Sequence, residues 1–287
     1  YVLVDTKEKL DEVVQRLENI SMVSVDTETT SINPMEAELC GISISLGEGD
    51  GAYIPTKCME SHLDESEVIE ALRSVLEDST IAKIGHNLKY DLVVLQNVGI
   101  EVQGRLYDTL ITAWLIDASR SGYSMDAVAM GLLEYECMPI SDLIGKGKSQ
   151  ITFDQVPIED AYPYAAEDAD IAFRLWNVLG PQLAESELQQ LYDELEMPLI
   201  RVLAAMRISG ICVDPDELQR QRELLSTRID ELKEDIGNES PFPFNPDSPK
   251  QLSQVLFNDP DAEQGGLGIK PIKKGKSFHS TDVEVLE

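Results

Sequence analysis

The chain has 287 residues, of which 53 are acidic and 23 basic, giving a formal net charge of −30 at neutral pH. This charge argues against broad contact with nucleic-acid phosphates, although a local basic patch stays compatible with it. Three histidines and four well-separated cysteines exclude a histidine-rich metal site, a zinc ribbon and a disulfide framework, so any bound metal is expected to have oxygen ligands. Because no apolar run reaches 18 residues and no signal peptide opens the chain, we expect a cytoplasmic protein without membrane contact.

The first predicted elements are a helix over residues 7–18 and a buried strand that carries two acidic residues. In the stretch VSVDTETT, Asp26 and Glu28 are two positions apart, so both side chains leave the same face of the strand. Carboxylates this close repel each other, and either protonation or a divalent cation relieves the repulsion. An isolated D-x-E pattern is also compatible with an Asp26 that only caps the element after the strand and a Glu28 that is solvated. Residues further along the chain must decide between this alternative and a metal site.

Two strands over residues 39–46 and 52–54 follow, joined by a glycine-bounded turn, and we expect them to pair in antiparallel fashion. A helix over residues 66–76 comes next.

A further strand over residues 81–85 runs directly into the stretch HNLKYD. Asn87 is predicted as the N-cap or first turn of a helix, with Asp91 one turn later, so both side chains can face the end of the preceding strand. The alternatives are simple capping by Asn87 and a solvated Asp91.

A strand over residues 105–107 and helices over residues 108–116 and 125–133 are predicted next. Asp108 stands directly before the apolar run of the first of these helices, where an N-cap belongs. We interpret it as a cap rather than as a metal ligand.

The loop GKGK at residues 145–148 supplies local positive charge through Lys146 and Lys148. A second basic cluster lies near the end of the chain and consists of Lys270, Lys273, Lys274 and Lys276. Each cluster is also compatible with an ordinary solvated loop.

Three acidic residues fall within the stretch AYPYAAEDAD. A helix is predicted to begin at Pro163, because proline suits the first helical position and would break a helix running through it. Tyr164 and Asp168 are four residues apart and share one face, whereas Glu167 and Asp170 point elsewhere. This spacing selects Asp168 from the three.

Four carboxylates, at a strand end and on two helices, are what two divalent cations about 4 Å apart require. Such a pair performs phosphodiester hydrolysis, in which one ion lowers the pKa of a water and the other stabilises the leaving 3′ oxygen. We therefore expect Mg²⁺ or Mn²⁺ at a site formed by Asp26, Glu28, Asp91 and Asp168.

From about residue 187 the predicted elements are all helical, so we divide the chain into domains 1–186 and 187–287. The helices of this second part are predicted over residues 195–209, 215–236 and 249–257. The chain stops within another predicted helix, and we expect it to be part of a longer protein.

The motifs DTET, NLKYD and YAAEDAD, in that order, resemble the three exonuclease motifs of the 3′–5′ proofreading domain of bacterial family A DNA polymerases. The GKGK loop and the later stretches EMPL, GICVD and KQL extend the resemblance over nearly the whole chain. It implies an α/β, ribonuclease H-like fold with a central mixed sheet flanked by helices. An all-helical segment, the incomplete thumb region at the start of a polymerase domain, is expected to follow.

The resemblance also implies roles for the metal-site residues. Asp26, Glu28 and Asp168 are expected to hold the first cation, and Asp26 with Asp91, partly through water, the second. Tyr164 matches the tyrosine that orients the attacking water.

Six further residues match positions expected to bind DNA. Asn87 and Tyr90 lie near the frayed 3′ end, and Ile32 is wedged at the terminal base. Ile140 stands where a member of the family has an aromatic residue that stacks on a base, and losing such a platform costs about 1 to 3 kcal/mol per base. Lys146 and Lys148 complete the expected DNA-binding set.

The implied function is proofreading in DNA replication and repair by a monomeric, metal-dependent 3′–5′ exonuclease. It acts on single-stranded or frayed DNA and releases nucleoside monophosphates. The polymerase motifs of the family fall beyond residue 287, so this stretch alone is not expected to polymerise. The alternatives are a ribonuclease D-like RNA exonuclease, which the helical region after residue 187 disfavours, and an inactive scaffold, which the presence of all four carboxylates disfavours.

Overall fold

The computed structural model of the chain describes residues 1–60, 62–275 and 277–286, so Lys276 of the second basic cluster lies outside the described residues. The chain folds as two units, Tyr1–Gly210 and Ile211–Glu287. The predicted division of the chain into domains 1–186 and 187–287 stays a prediction.

A six-stranded sheet forms the centre of the first unit. Its strands are β1 (Val2–Leu3), β2 (Met22–Thr29), β3 (Leu39–Ser45), β4 (Gly51–Pro55), β5 (Ala82–Gly85) and β6 (Leu106–Asp108). In space they follow the order β1-β4-β3-β2-β5-β6. β3 is antiparallel to both β2 and β4, whereas the other three pairings are parallel. The predicted mixed sheet and the predicted antiparallel hairpin are thus confirmed.

Helices flank this sheet, and side-chain caps fix several of their starts. They are α1 (Lys7–Arg16), α2 (Glu65–Leu76), α3 (Leu88–Asn97), α4 (Thr109–Ile116), α5 (Met125–Leu133), α6 (Ile140–Ile144), α7 (Ile158–Glu185), α8 (Gln189–Leu191) and α9 (Met197–Ser209). Thr6, Asp64 and Ser124 each accept a hydrogen bond from a backbone N–H in the first turn of α1, α2 and α5, respectively, which satisfies a donor that the helix itself leaves unpaired.

Helix α7 begins five residues earlier than the sequence pattern predicts, and the prediction of a start at Pro163 is wrong. The helix runs through Pro163 because its first turn is held by tertiary contacts. The Ile158 N–H donates to Glu60 Oε2 at 2.9 Å, and Ile158 and Ala161 are buried in a cluster with Phe153. These contacts offset the backbone hydrogen bond that proline cannot make.

Helix α7 packs across the sheet: it contacts strands β1 to β5, and its Trp176 stacks on Tyr107 of β6 with ring centroids 4.1 Å apart. Helix α9 packs against α3, and Met197, Ile200 and Ala204 are buried in the same apolar core as the sheet. Arg201 fastens this helix further, since its guanidinium donates to Val102 O at 2.6 Å and Gly104 O at 2.8 Å.

The second unit is helical, which confirms the prediction for this part of the chain. Its helices are α10 (Pro215–Glu239), α11 (Pro249–Phe257) and α12 (Val283–Leu286). Asp214 caps α10 by accepting from two backbone N–H groups of its first turn. Lys270, Lys273 and Lys274 are exposed. In the described parts of both units, no helix has the length and apolar character that crossing a bilayer requires.

Candidate metal centre

Strand β2 presents two acidic side chains near its carboxyl end. Asp26 lies opposite Ser43 and Glu28 opposite Gly41 in the antiparallel pairing with β3, so backbone hydrogen bonds fix both positions. Because side chains alternate along a strand, Asp26 and Glu28 project from the same face.

Helix α7 completes a group of three carboxylates. Asp26, Glu28 and Asp168 each offer an oxygen atom, and these three atoms lie within 4.8 Å of one another. Glu28 is buried, and its Oε1 has no hydrogen-bond partner among the described residues. A buried carboxylate oxygen without a partner is costly, and a cation would satisfy it. The donor set, which is all oxygen, fits a hard divalent ion such as Mg²⁺ or Mn²⁺.

Asp91 lies beside this group and is held by Thr27, the residue of β2 between Asp26 and Glu28. It is buried on α3, and its Oδ1 accepts hydrogen bonds from Thr27 N at 3.1 Å and Thr27 Oγ1 at 2.6 Å. Because Thr27 stands between Asp26 and Glu28 on β2, this contact brings Asp91 next to them, and the charge of Asp91 raises the pKa of Asp26. The structure therefore brings all four predicted carboxylates to one place, three in mutual contact range and the fourth adjacent.

Burial and mutual repulsion govern the ionisation of these groups. Burial, reinforced by the neighbouring carboxylates, raises the pKa of Asp26 and of Glu28 well above the ordinary range. Burial also raises the pKa of Asp91 and of Asp168 to about 7, although hydrogen bonds from Thr27 and Tyr164, respectively, act in the opposite direction. The site therefore resists carrying four negative charges unless positive charge enters it.

Tyr164 lies one turn before Asp168 on α7, as the spacing predicts. Its hydroxyl lies close enough to the Asp168 carboxylate to lower the pKa of that group, and its ring packs against Phe153 with centroids 6.0 Å apart. Burial, with the charges of Asp168, Glu28 and Asp26, raises the pKa of Tyr164, so the hydroxyl keeps its proton. A fixed hydroxyl donor therefore borders the carboxylate group.

The residues expected near a 3′ end lie around the same strand. The Tyr90 hydroxyl donates to Ser31 O at 2.5 Å and also contacts the Thr29 hydroxyl, so the phenol is fixed beside the end of β2. Ile32, just beyond, is 98% exposed. Asn87 occupies the N-cap position of α3 in a left-handed conformation, with φ of 67°.

Ile140, Lys146 and Lys148 follow a segment that α7 holds in place. The Glu167 carboxylate accepts hydrogen bonds from Tyr135 Oη at 2.6 Å and from Met138 N at 2.7 Å. Ile140 begins α6 and is 38% exposed, and both lysines are exposed. The segment directly before these three residues is thus fastened to Glu167, the residue before Asp168.

Several contacts of the site lie beyond the reach of sequence reasoning. Asp108 caps α4, as predicted, but the same carboxylate also accepts from the backbone of Asn87 and Leu88 at the start of α3. The contact of Thr27 with Asp91 was not predicted, although the position of Thr27 between Asp26 and Glu28 in the DTET motif indicated a residue at the site. Nothing in the sequence indicated the role of Glu167, because adjacent residues of a helix point in different directions and Glu167 therefore faces away from the side of Asp168.

The sequence of the chain is similar to a known family and to several curated proteins. A family model described as "3′-5′ exonuclease" matches residues 1–184. DNA polymerase I of Pseudomonas aeruginosa is 36% identical over 293 residues, which cover 100% of this chain and 31% of the relative. DNA polymerase I of Chloroflexus aurantiacus is 38% identical over 280 residues, covering 97% of this chain and 29% of the relative. The chain thus spans about a third of the length of the curated relatives it matches.

Two solved structures resemble the fold. The POL domain of Pol1 from M. smegmatis, in complex with DNA primer-template and dNTP, superposes with a TM-score of 0.69 at 24% identity, covering 100% of this chain and 44% of that one. Brucella melitensis NrnC bound to pGG gives a TM-score of 0.54 at 23% identity, covering 67% and 87%. At these identities the likeness establishes the fold alone.

Proposed function

Because the chain belongs to the 3′–5′ exonuclease family, we propose that it is the proofreading exonuclease of a DNA polymerase I. Its substrate is the 3′-terminal phosphodiester of single-stranded or frayed DNA, and its products are nucleoside monophosphates. The single observation that carries the proposal is the carboxylate group of Asp26, Glu28 and Asp168 with Asp91 beside it. The proposal includes a monomeric, cytoplasmic protein whose polymerase domain starts near residue 187.

Two divalent cations, Mg²⁺ or Mn²⁺, are assigned to this centre. Asp26, Glu28 and Asp168 would hold the first, and Asp26 with Asp91 the second. The partnerless Oε1 of Glu28 and the raised pKa of all four carboxyl groups support this assignment. When bound, such a pair supplies Lewis acidity at the attacking and the leaving oxygen of a phosphodiester.

The protein's own contribution is positioning in a buried, low-dielectric site. Thr27 holds Asp91 through two hydrogen bonds, which leaves the other carboxylate oxygen, Oδ2, for the centre. Tyr164 lies beside Asp168 and keeps its proton, and we assign it the orientation of the attacking water.

The DNA strand is assigned to the surface around the end of β2. An exposed isoleucine at position 32 offers an apolar face to the terminal base, and the fixed phenol of Tyr90 lies beside it. Asn87 is exposed and its side chain makes no capping bond, so we assign its amide to the same DNA end. Ile140, Lys146 and Lys148 are assigned to the next nucleotides, because all three are exposed and follow the segment that Glu167 holds through Met138.

The test is release of mononucleotide from a 3′-labelled single strand in the presence of Mg²⁺ or Mn²⁺. We expect release by the wild-type chain, and its loss in Asp91→Ala with an unchanged circular dichroism spectrum. Asp11→Ala, which removes an exposed carboxylate from α1, is the matched control and should retain full release. Undiminished release by Asp91→Ala would show that the assignment of Asp91 is wrong.

Two comparisons refine the substrate. DNA and RNA oligomers of the same sequence should differ in rate in favour of DNA, and faster trimming of RNA would contradict the polymerase assignment. A salt titration of single-strand binding should give a shallow slope, because a chain with 53 acidic residues and few exposed lysines near the site can neutralise few phosphates.

A further inference from the structure

A single buried carboxylate serves the first turns of two helices. Asp108 is 1% exposed and lies between α3 and α4. Its Oδ1 accepts from Leu110 N at 3.0 Å, Ile111 N at 3.2 Å and Asn87 N at 3.2 Å, and its Oδ2 accepts from Leu88 N at 2.8 Å. Two of these donors lie at the start of each helix, because Asn87 is the N-cap of α3 and Leu88 its first residue.

Helix α3 depends on this distant residue for its cap. Asn87 stands at the N-cap position, yet its side chain makes no capping bond within the described part of the chain. The unpaired N–H groups at a helix start need an acceptor when they are buried. For α3 the Asp108 carboxylate is that acceptor, although it lies 20 residues beyond Leu88 in the sequence.

Asp108 is itself held rigidly. Its backbone N–H donates to Tyr192 Oη at 2.9 Å, and its carbonyl accepts from Thr112 Oγ1 at 2.7 Å. Tyr192 is fully buried and stacks on Trp176, with ring centroids 6.4 Å apart. The carboxylate therefore offers α3 a fixed point rather than a mobile partner.

Asp91 lies one turn after this capped start. We propose that Asp108 is a positioning residue for the exonuclease, because it fixes the first turn of α3 and thereby the place of Asp91 at the metal centre. The inference rests on the proposed function, in which Asp91 helps to hold the second cation. Asp108 touches neither cation nor DNA in this scheme and acts only through the helix.

The two oxygens of Asp108 allow one substitution to separate its two capping roles. In Asp108→Asn, the carbonyl oxygen can keep its bonds to α4, but the amide NH₂ then faces the N–H of Leu88, donor against donor. Asparagine is a good N-cap, so α4 retains its start. Asp64→Asn makes the same chemical change at the cap of α2, which is exposed, and is the matched control.

The first readout needs no metal. Amide hydrogen exchange, followed by NMR in EDTA, should be at least about 10-fold faster at Leu88 in Asp108→Asn than in the wild-type chain, since a lost hydrogen bond exposes the amide to local opening. The Leu110 and Ile111 amides should keep their protection, and Asp64→Asn should leave all of these unchanged. Unchanged protection of Leu88 would overturn the proposal.

The second readout is Mn²⁺ binding, measured by electron paramagnetic resonance with thymidine 5′-monophosphate present. Asp108→Asn should weaken the second ion by about 10- to 100-fold, the range for residues that orient ligands, and leave the first ion unchanged. A purely structural role would lower the melting temperature and weaken both ions alike, which would also overturn the proposal.

Two further variants keep the outcomes distinguishable. If Asp91→Ala weakens neither ion, the metal assignment fails, while the exchange of Leu88 still decides whether Asp108 holds α3. If Asp108→Asn does not fold, Tyr192→Phe is tested instead. This variant removes the hydroxyl that accepts from the Asp108 N–H, and it leaves the Asp108 carboxylate intact. It should weaken the second ion in the same direction but less, and no change would contradict the proposal.

Discussion

Thr27 donates two hydrogen bonds to a single oxygen of Asp91, one from its backbone N–H at 3.1 Å and one from its hydroxyl at 2.6 Å. The two residues belong to different elements, β2 and α3. Because Thr27 lies between Asp26 and Glu28, the strand that presents two carboxylates also holds a third. The relative positions of strand and helix at the metal centre thus depend on this contact.

The first prediction concerns the hydroxyl of this contact. Thr27→Val keeps the β-branched shape and the backbone bond but leaves Asp91 with one donor fewer. We expect the exonuclease rate to fall about 10-fold or more and the free energy of unfolding to fall by about 1 kcal/mol. Initial rates on a labelled single strand and urea denaturation measure the two effects.

Ser24→Ala is the matched control on the same strand. Ser24 is fully buried, and its hydroxyl has no partner in the part of the chain that the structure describes. Its removal should leave the rate unchanged and the protein at least as stable. Equal losses in Ser24→Ala and Thr27→Val would show that the Thr27 hydroxyl has no special role.

The second prediction concerns metal removal. Burial and the neighbouring carboxylates raise the pKa of Glu28, so ionising it at pH 8 destabilises the folded state. In EDTA at this pH, Glu28→Gln should melt at a higher temperature than the wild-type chain. With Mn²⁺ at 100 times its dissociation constant, the wild-type chain should gain about 2.7 kcal/mol, and the variant clearly less.

Glu36→Gln, which removes an exposed carboxylate, is the control for this experiment. It should follow the wild-type chain both in EDTA and in Mn²⁺. A Glu28→Gln protein that is less stable in EDTA, yet gains as much from Mn²⁺, would contradict a role of Glu28 at the metal centre.

The third prediction uses a buried lysine on β5. Lys83 is 1% exposed, and its Nζ donates to Asp78 O at 2.6 Å and Ile81 O at 2.9 Å. Burial lowers the pKa of Lys83 to about 8, so between pH 8 and about 10 the unfolded chain binds more of this proton than the folded one. The contribution of Lys83 to the free energy of unfolding therefore rises with pH.

Urea denaturation of the wild-type chain and Lys83→Met at several pH values measures this effect. The difference in stability, wild type minus variant, should increase by up to about 1.4 kcal/mol per pH unit between pH 8 and about 10. Lys89→Met, at an exposed position of α3, should show no such trend. A difference that is constant or falls with pH would show that the folded state does not disfavour the charge of Lys83.

The fourth prediction concerns the grip on single-stranded DNA. Ile140 is exposed where the family resemblance places an aromatic ring, and base stacking on an aromatic contributes about 1 to 3 kcal/mol per base. Ile140→Phe should therefore tighten binding of a fluorescent oligo(dT) by about five-fold or more, measured by anisotropy in EDTA. Ile211→Phe, at a position 94% exposed, is the control and should not tighten it. Equal affinities of Ile140→Phe and the wild-type chain would remove Ile140 from the DNA path.

Local spacing was enough to find the elements that bear the site. The alternation of β2 placed Asp26 and Glu28 on one face, and the turn spacing of α7 paired Tyr164 with Asp168. Contacts between elements were not accessible in the same way. The start of α7 was wrong because buried contacts of Ile158 outweigh the cost of Pro163, a tertiary effect that no local pattern contains.

The same limit explains what was missed about Asp108. Its capping of α4 was predicted, because Asp108 directly precedes the apolar run of that helix in the sequence. Its capping of α3 joins residues about 20 positions apart across two parallel strands, so only the register of β5 and β6, which pairs Gly85 with Asp108, reveals it.

The packing of α9 on α3 matters for anyone who wishes to excise the nuclease. The family match ends at residue 184, but a chain cut there would lose Met197, Ile200 and Ala204 from the core and Arg201 from its two carbonyl partners. Burial of the Met197 and Ile200 side chains stabilises the fold by about 1.5 to 3 kcal/mol each, next to the helix that bears Asp91. A shortened nuclease ending at Gly210 should stay monodisperse where one ending at 184 aggregates.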